Sequence, residues 1–207
     1  IFLMDLSFSE LKDLVFNASM GSNLPAGVCE DLSFGVTFLE SRCLLGGKEL
    51  LNSLKCERHP PVLPQKKGVS LVFGNARAIF EGLSAIDFLV SEVCESVILQ
   101  NIDSSILLVG LASNYNGLSF SFYKNKEIFA ALFNDQLNWT NENYRHSNDI
   151  EIRLTHSELN NPLAKRSRMF LDENVFKDLT NLASNMLVPE SELSRAMGAG
   201  AGNIDND

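Results

Sequence analysis

The chain is poor in the residues that most often announce a chemistry. Its 207 residues hold three histidines, four cysteines and one tryptophan. Cys29, Cys43, Cys56 and Cys94 form no Cys-x-x-Cys pair and complete no four-ligand zinc pattern with the histidines, so neither a zinc finger nor a thioredoxin-type redox pair is signalled. All four read as reduced, mostly buried small hydrophobes. Glu30 and Asp31 beside Cys29 would raise a thiol pKa, the opposite of activation. The Gly-x-Ser-x-Gly elbow is missing, and no serine or cysteine stands out as a nucleophile. His59 precedes two prolines and reads as structural. His146 lies beside Arg145 and near Asp149 and could serve as a base, but one residue pair is a weak signal and it reads as a solvated loop histidine.

Long apolar runs and positive charge are also scarce. The longest apolar run, Ile106–Ala112, is interrupted by Gly110 and falls far short of a membrane span. The first five residues have no basic region and too few apolar residues for a signal peptide. Lys and Arg number 17 against 26 Asp and Glu, a net charge of −9. Such a field repels phosphate backbones, so nucleic acid is not an expected partner, and neither is a membrane. The sign reverses locally at Lys165-Arg166-Ser167-Arg168, a patch that suits an anion or acids of the same chain.

What is present is an ordinary globular composition, 45% hydrophobic and 21% charged, enough for one domain or two small lobes. Ser7-x-x-Glu10 is a capping box, followed by Phe8, Leu11, Val15 and Ala18 at helical spacing. Pro25 suits the first position of a second helix marked by Val28, Leu32, Val36 and Leu39, which Gly46-Gly47 stops. A third helix is predicted from Lys48 to about Lys55. Residues 57–68, rich in proline, read as a semi-rigid linker between a helical lobe (1–56) and an α+β lobe (69–207).

Beyond the linker, Val69–Phe73 and Ser96–Gln100 read as strands and Glu81–Val93 as a helix. Glu92 and Glu95 fall at helical spacing on a solvated face. Ser104–Ser113 reads as a strand joined through the hairpin signal Asn116-Gly117 to a half-buried strand, in which Leu118, Phe120 and Phe122 alternate with polar partners. Lys124–Lys126 forms a turn into Ile128–Phe133, completing an antiparallel meander. Residues 134–147 read as a loop, Asp149–Thr155 as a strand, and Phe176, Leu179, Leu182, Ala183 and Met186 as a helix after Asp172. Phe34, Phe38, Phe120, Phe122, Phe129 and Phe133 are assigned to core packing. The fold class is therefore α+β: a helical N-terminal lobe, an antiparallel sheet and C-terminal helices.

The C-terminus is compositionally unusual. Glu192, Ser194 and Arg195 lie in a short predicted helix capped by Gly198, and Gly200 and Gly202 continue an alternating run toward Asp205 and Asp207. Glycines at this spacing permit left-handed backbone and an anion-holding concavity. The spacing is not Gly-x-Gly-x-x-Gly and the run follows a helix, which rules out a dinucleotide fingerprint. Asp205, Asp207 and the terminal carboxylate offer hard oxygen ligands but match no calcium loop, and no resident metal or cofactor is assigned.

The segments Asp5-Leu-Ser-Phe-Ser-Glu10-Leu, Ala18-Ser-Met-Gly21 and Pro25-Ala-Gly-Val-Cys-Glu-Asp31, with Val188-Pro-Glu-Ser-Glu-Leu-Ser-Arg195 and the Gly-Ala-Gly-Ala-Gly…Asp-Asn-Asp ending, resemble a bacterial family known as a domain of unknown function. The match is distinct at both ends and general in the middle. Cys29 stands where a small or apolar residue is expected, and Asn203-Ile204 departs slightly. The resemblance implies a bacterial, cytoplasmic protein with Met4 as its start and Asp207 as its natural end, and it carries no catalytic residue. Two functions follow as expectations. One is a small-molecule (metabolite) binding protein or enzyme using Glu192, Ser194, Arg195, Gly198, Gly200, Gly202, Asp205 and Asp207. The other is a non-catalytic accessory protein whose tail docks into a partner enzyme. Either is compatible with an oligomer.

Overall fold

The computed structural model describes residues 2–56, 62–140, 149–155 and 161–186. Helix α1 (Phe8–Gly21) starts from the predicted capping box: Glu10 N–H donates to Ser7 Oγ at 3.3 Å, and Ser7 N–H donates to the Glu10 carboxylate at 2.7 Å. Leu11, Val15 and Ala18 are buried. Helix α2 (Ala26–Glu40) begins one residue later than predicted, because Pro25 stays extended as the cap. Gly46 and Gly47 open helix α3 (Gly46–Lys55) rather than simply ending α2, which stops at Glu40. The chain turns there through Cys43 and Leu45, both at positive φ. A side chain on Gly46 would place Cβ 2.8 Å from the Val36 carbonyl oxygen, so only glycine fits the corner.

An unpredicted strand, β1 (Leu3–Leu6), pairs antiparallel with β9 (Met169–Asp172). This ribbon delivers the chain into helix α6 (Glu173–Ser184), capped by Asp172. Helix α6 lies against α1 so closely that a Cβ on Gly21 would sit 1.9 Å from the Leu182 carbonyl oxygen. One cluster of buried side chains runs from Leu6 to Leu179, through the helices and the sheet alike.

The main sheet has the order β2-β3-β4-β8-β5-β6-β7. Strand β2 (Gln65–Lys67) occupies the end of the stretch read as a linker. The α+β class holds, with one departure from an all-antiparallel sheet: β3 (Ser70–Phe73) and β4 (Ser96–Gln100) run parallel. The crossover between them is a single-turn π-helix (Ala78–Gly82) that continues as α4 (Leu83–Val90). Helix α4 ends at Val90, so Glu92 and Glu95 are exposed, as expected, but lie off the helix.

A meander exists, with different members. It is β5 (Ser119–Lys124), β6 (Glu127–Phe133) and β7 (Gln136–Trp139), the last lying in the predicted loop. The predicted strand at 104–113 is instead helix α5 (Ser105–Ala112), capped by Ser104 Oγ accepting from Leu107 N–H at 3.3 Å. All eight of its residues are buried. A helix enclosed on every side shows no 3.6-residue period, and a short apolar run then looks like a strand. The Asn116-Gly117 turn therefore joins a helix to a strand. Strand β5 is not half-buried either: Ser119 and Ser121 are as buried as Phe120 and Phe122, and Ser121 Oγ shares a 2.9 Å hydrogen bond with Thr155 Oγ1. Strand β8 (Asp149–Leu154) lies between β4 and β5.

Candidate functional site

At 3.6 residues per turn, Asp31, Phe34, Phe38 and Ser41 share the face of α2 that points away from Leu32, Val36 and Leu39. This second face lines a cavity of about 400 Å³. Phe8 of α1, Ser113, Asn114 and Asn116 after α5, Asp135 of the β6–β7 turn, and Lys165 complete the lining together with Glu30 and Arg42. A pair of glycines brings the α5 wall close. Gly35 on α2 and Gly110 on α5 meet backbone to backbone, and a Cβ on either would lie 2.8 Å from the other's carbonyl group. Four residues along from each glycine, Asn114 Nδ2 donates to the Asp31 carbonyl oxygen at 3.1 Å and carboxylate at 3.3 Å.

The two ends of the cavity differ in charge. At one end the Arg42 guanidinium lies 3.7 Å over the Phe38 ring and donates to Phe38 O, Ser41 Oγ and both the carbonyl and the carboxylate of Asp135. Lys165 Nζ reaches the same carboxylate at 2.6 Å. Burial acts to raise the Asp135 pKa, but the hydrogen bonds from Lys165 and Arg42 outweigh it and the net shift is downward. Burial lowers the Arg42 pKa, against the hydrogen bond and charge of Asp135. Arg42 Nε is buried and finds no acceptor among the described residues. Two cations share one carboxylate here, so the end is net positive.

At the other end stand Glu30 and Asp31, with no cation paired to either among the described residues. Burial, then the nearby Asp87 charge, push the Asp31 carboxyl above its ordinary range, against the Asn114 hydrogen bond. Between the ends lie aromatic rings. Phe8 and Phe34 are 41% and 44% exposed, so Phe34 departs from the expected core role, as does Phe133, while Phe38, Phe120, Phe122 and Phe129 are buried. Lys12 Nζ sits 3.5 Å over the Phe34 ring.

A second Arg–Asp pair offers a contrast. Arg77 and Asp103 follow the C-terminal ends of the parallel strands β3 and β4, with Arg77 Nε 3.0 Å from the Asp103 carboxylate. Ala78 N–H, Ser104 N–H and Ser53 Oγ also donate to Asp103. Arg77 donates to the Ser53 carbonyl at 2.6 Å, its N–H to Glu81 at 2.9 Å, and Ser104 Oγ to Glu49 at 2.8 Å. This network ties α3 to the sheet.

Other sequence expectations resolve unevenly. Glu192, Ser194, Arg195, Gly198, Gly200, Gly202, Asp205 and Asp207 lie outside the described residues, as do His59, His146 and His156. Lys165 and Arg168 pair with acids of the same chain, Asp135 and Asp5, the latter at 2.8 Å. All four cysteines are free; Cys29 is buried and Cys94 half-buried, but Cys43 and Cys56 are exposed, against expectation. Burial, rather than the neighbouring acids, is what raises the Cys29 thiol pKa. Among the described residues no cluster of three His, Cys, Asp or Glu is placed to hold a metal, and no helix is long and apolar enough to cross a membrane.

No protein-family profile and no curated protein sequence matches the chain. Its fold is similar to the crystal structure of a dehydrogenase from Sinorhizobium meliloti, with a TM-score of 0.54 and 11% identity over 87% of this chain and 99% of that one. Likenesses to sulfolactate dehydrogenase from Methanocaldococcus jannaschii (TM-score 0.44, 13% identity) and malate dehydrogenase from Pyrococcus horikoshii OT3 (TM-score 0.45, 10% identity) cover 57% and 58% of this chain. The chain spans about 40% of the length of each of these two. At such identities the likeness concerns the fold alone.

Proposed function

We propose that the protein binds a small metabolite in the cavity along the outer face of α2. The observation that carries this reading is the convergence there of exposed aromatic rings with two charged ends from separate elements. A cavity of about 400 Å³ is within the size range of small-molecule sites, which are typically apolar with a few placed polar groups. The C-terminal Glu192–Asp207 segment is proposed as a further part of ligand recognition on its sequence alone. Membership of the uncharacterised bacterial family, and a cytoplasmic location, belong to the same proposal. The dehydrogenase likenesses extend no reaction to this chain.

A thermal-shift screen of metabolites on the wild type and on Phe34→Ala tests the proposal. Phe34 is half-exposed, so its loss leaves the unliganded fold close to wild type. A ligand present at about 100 times its Kd stabilises by about 2.7 kcal/mol, a shift of several degrees. Hits that vanish in Phe34→Ala support the cavity. Hits that survive Phe34→Ala unchanged, or a complete absence of hits, contradict it.

A further inference from the structure

We infer that the ligand is an extended zwitterion, an ammonium and a carboxylate joined by an apolar stretch too long for a single α-amino acid; a short apolar peptide has this form. The inference rests on the cavity being the binding site and deepens that reading.

Three features of the cavity lead to it. The first is polarity. Glu30 and Asp31 present carboxylate oxygens that no cation pairs among the described residues, whereas at the far end Arg42 and Lys165 share the single carboxylate of Asp135. An ammonium answers the first end and a carboxylate the second. Lys165 Nζ is half-exposed and, with three N–H donors, has bonds left after the one to Asp135. The second is length. Asp31 and Phe38, to whose carbonyl the Arg42 guanidinium donates, are seven residues apart on one helix, about 10 Å at 1.5 Å per residue. Side chains at both ends bridge part of that distance, and an extended tripeptide spans about 10 Å. An α-amino acid, whose two charges are separated by one carbon, cannot touch both ends. The third is the middle. The half-exposed rings of Phe8 and Phe34 line the cavity between the charged ends and offer aliphatic side chains an apolar surface to bury against.

Calorimetric titration of the full chain with trileucine tests this, alongside N-acetyl-trileucine, trileucine amide and free leucine. The variants are Asp31→Asn and Lys165→Met, both at partly exposed positions that leave the core intact. Trileucine is expected to bind the wild type and to weaken about 10-fold in either variant, the size of one charged hydrogen bond. Acetylation should cost a similar factor on the wild type and nothing further on Asp31→Asn. Amidation should do the same against Lys165→Met. Free leucine binding as tightly as trileucine would overturn the length argument, and full affinity of the capped peptides would overturn the polarity. If trileucine fails to bind while metabolite hits are still lost in Phe34→Ala, the zwitterion falls and the cavity stands.

Discussion

The molecule contains two Arg–Asp pairs built for different ends. In Arg77–Asp103 both side chains are nearly dry, 9% and 10% exposed, and the carboxylate accepts from four donors. In Arg42–Asp135 the guanidinium is 1% exposed but its carboxylate is 57% exposed, a second cation shares it, and one N–H stays unmet among the described residues. A closed pair spends its hydrogen-bonding capacity on the fold and acts as a clamp. A pair open on one side keeps charge at a cavity, where a ligand can complete it. Satisfaction of the polar groups, more than the presence of charge, separates the two roles.

Breaking the closed pair should give the largest effect. Asp103→Asn is expected to destabilise by about 3–5 kcal/mol, because it strands the buried Arg77 charge, and equilibrium denaturation measures it. A cost below about 1 kcal/mol would mean that the network is not a clamp. Next comes Glu40, buried at the end of α2 with the Gly47 N–H donating to it at 2.8 Å. Burial pushes its carboxyl up to about 7 despite that hydrogen bond. The folded state therefore holds the Glu40 proton more tightly than the unfolded chain does. Its contribution is full below about pH 4.5 and is lost as pH rises through about 7. Glu40→Gln should stabilise by about 1–3 kcal/mol at pH 8 and little at pH 4.5, read from melting curves across that window.

Gly35→Ala should cost about 1–3 kcal/mol, since the added Cβ meets the Gly110 backbone, and should also weaken any cavity ligand by shifting Asn114 away from Asp31. An unchanged melting temperature would show that the helices can part. The smallest effect is expected at the open pair. Asp135→Asn should cost about 1 kcal/mol, because the buried Arg42 guanidinium keeps three acceptors, the Phe38 and Asp135 carbonyls and Ser41 Oγ, yet should alter ligand affinity clearly. A loss of stability equal to that of Asp103→Asn would abolish the distinction between the pairs.

The clamp and the cavity were unequally legible in the sequence. The capping box at Ser7 and the stripes at Leu32, Val36 and Leu39 and at Phe176, Leu179 and Leu182 are local signals, and each lies on a helix, although α2 starts later and stops earlier than its flanking residues suggest. Helix α5 was misread because burial on all sides removes the periodicity on which the reading depends, although Ser104 offered a cap signal. Strands β1 and β9 depend on pairing between residues about 166 positions apart, which no local pattern records. The cavity was hidden for a related reason. Phe34 was assigned to the core by residue type, although it falls out of phase with Leu32, Val36 and Leu39 on the helix. That phase, with Asp31 on the same face, was the available clue; the contributions of Asn114, Asp135 and Lys165 required the fold.

The most direct test is to record the backbone amide NMR spectrum of the full chain and titrate in a hit from the metabolite screen. Shifts are expected to concentrate at Asp31, Phe34, Phe38, Arg42 and Asn114, with Ser53, Arg77 and Asp103 unmoved. Shifts centred on Arg77 and Asp103, or spread without preference for the α2 face, would contradict it.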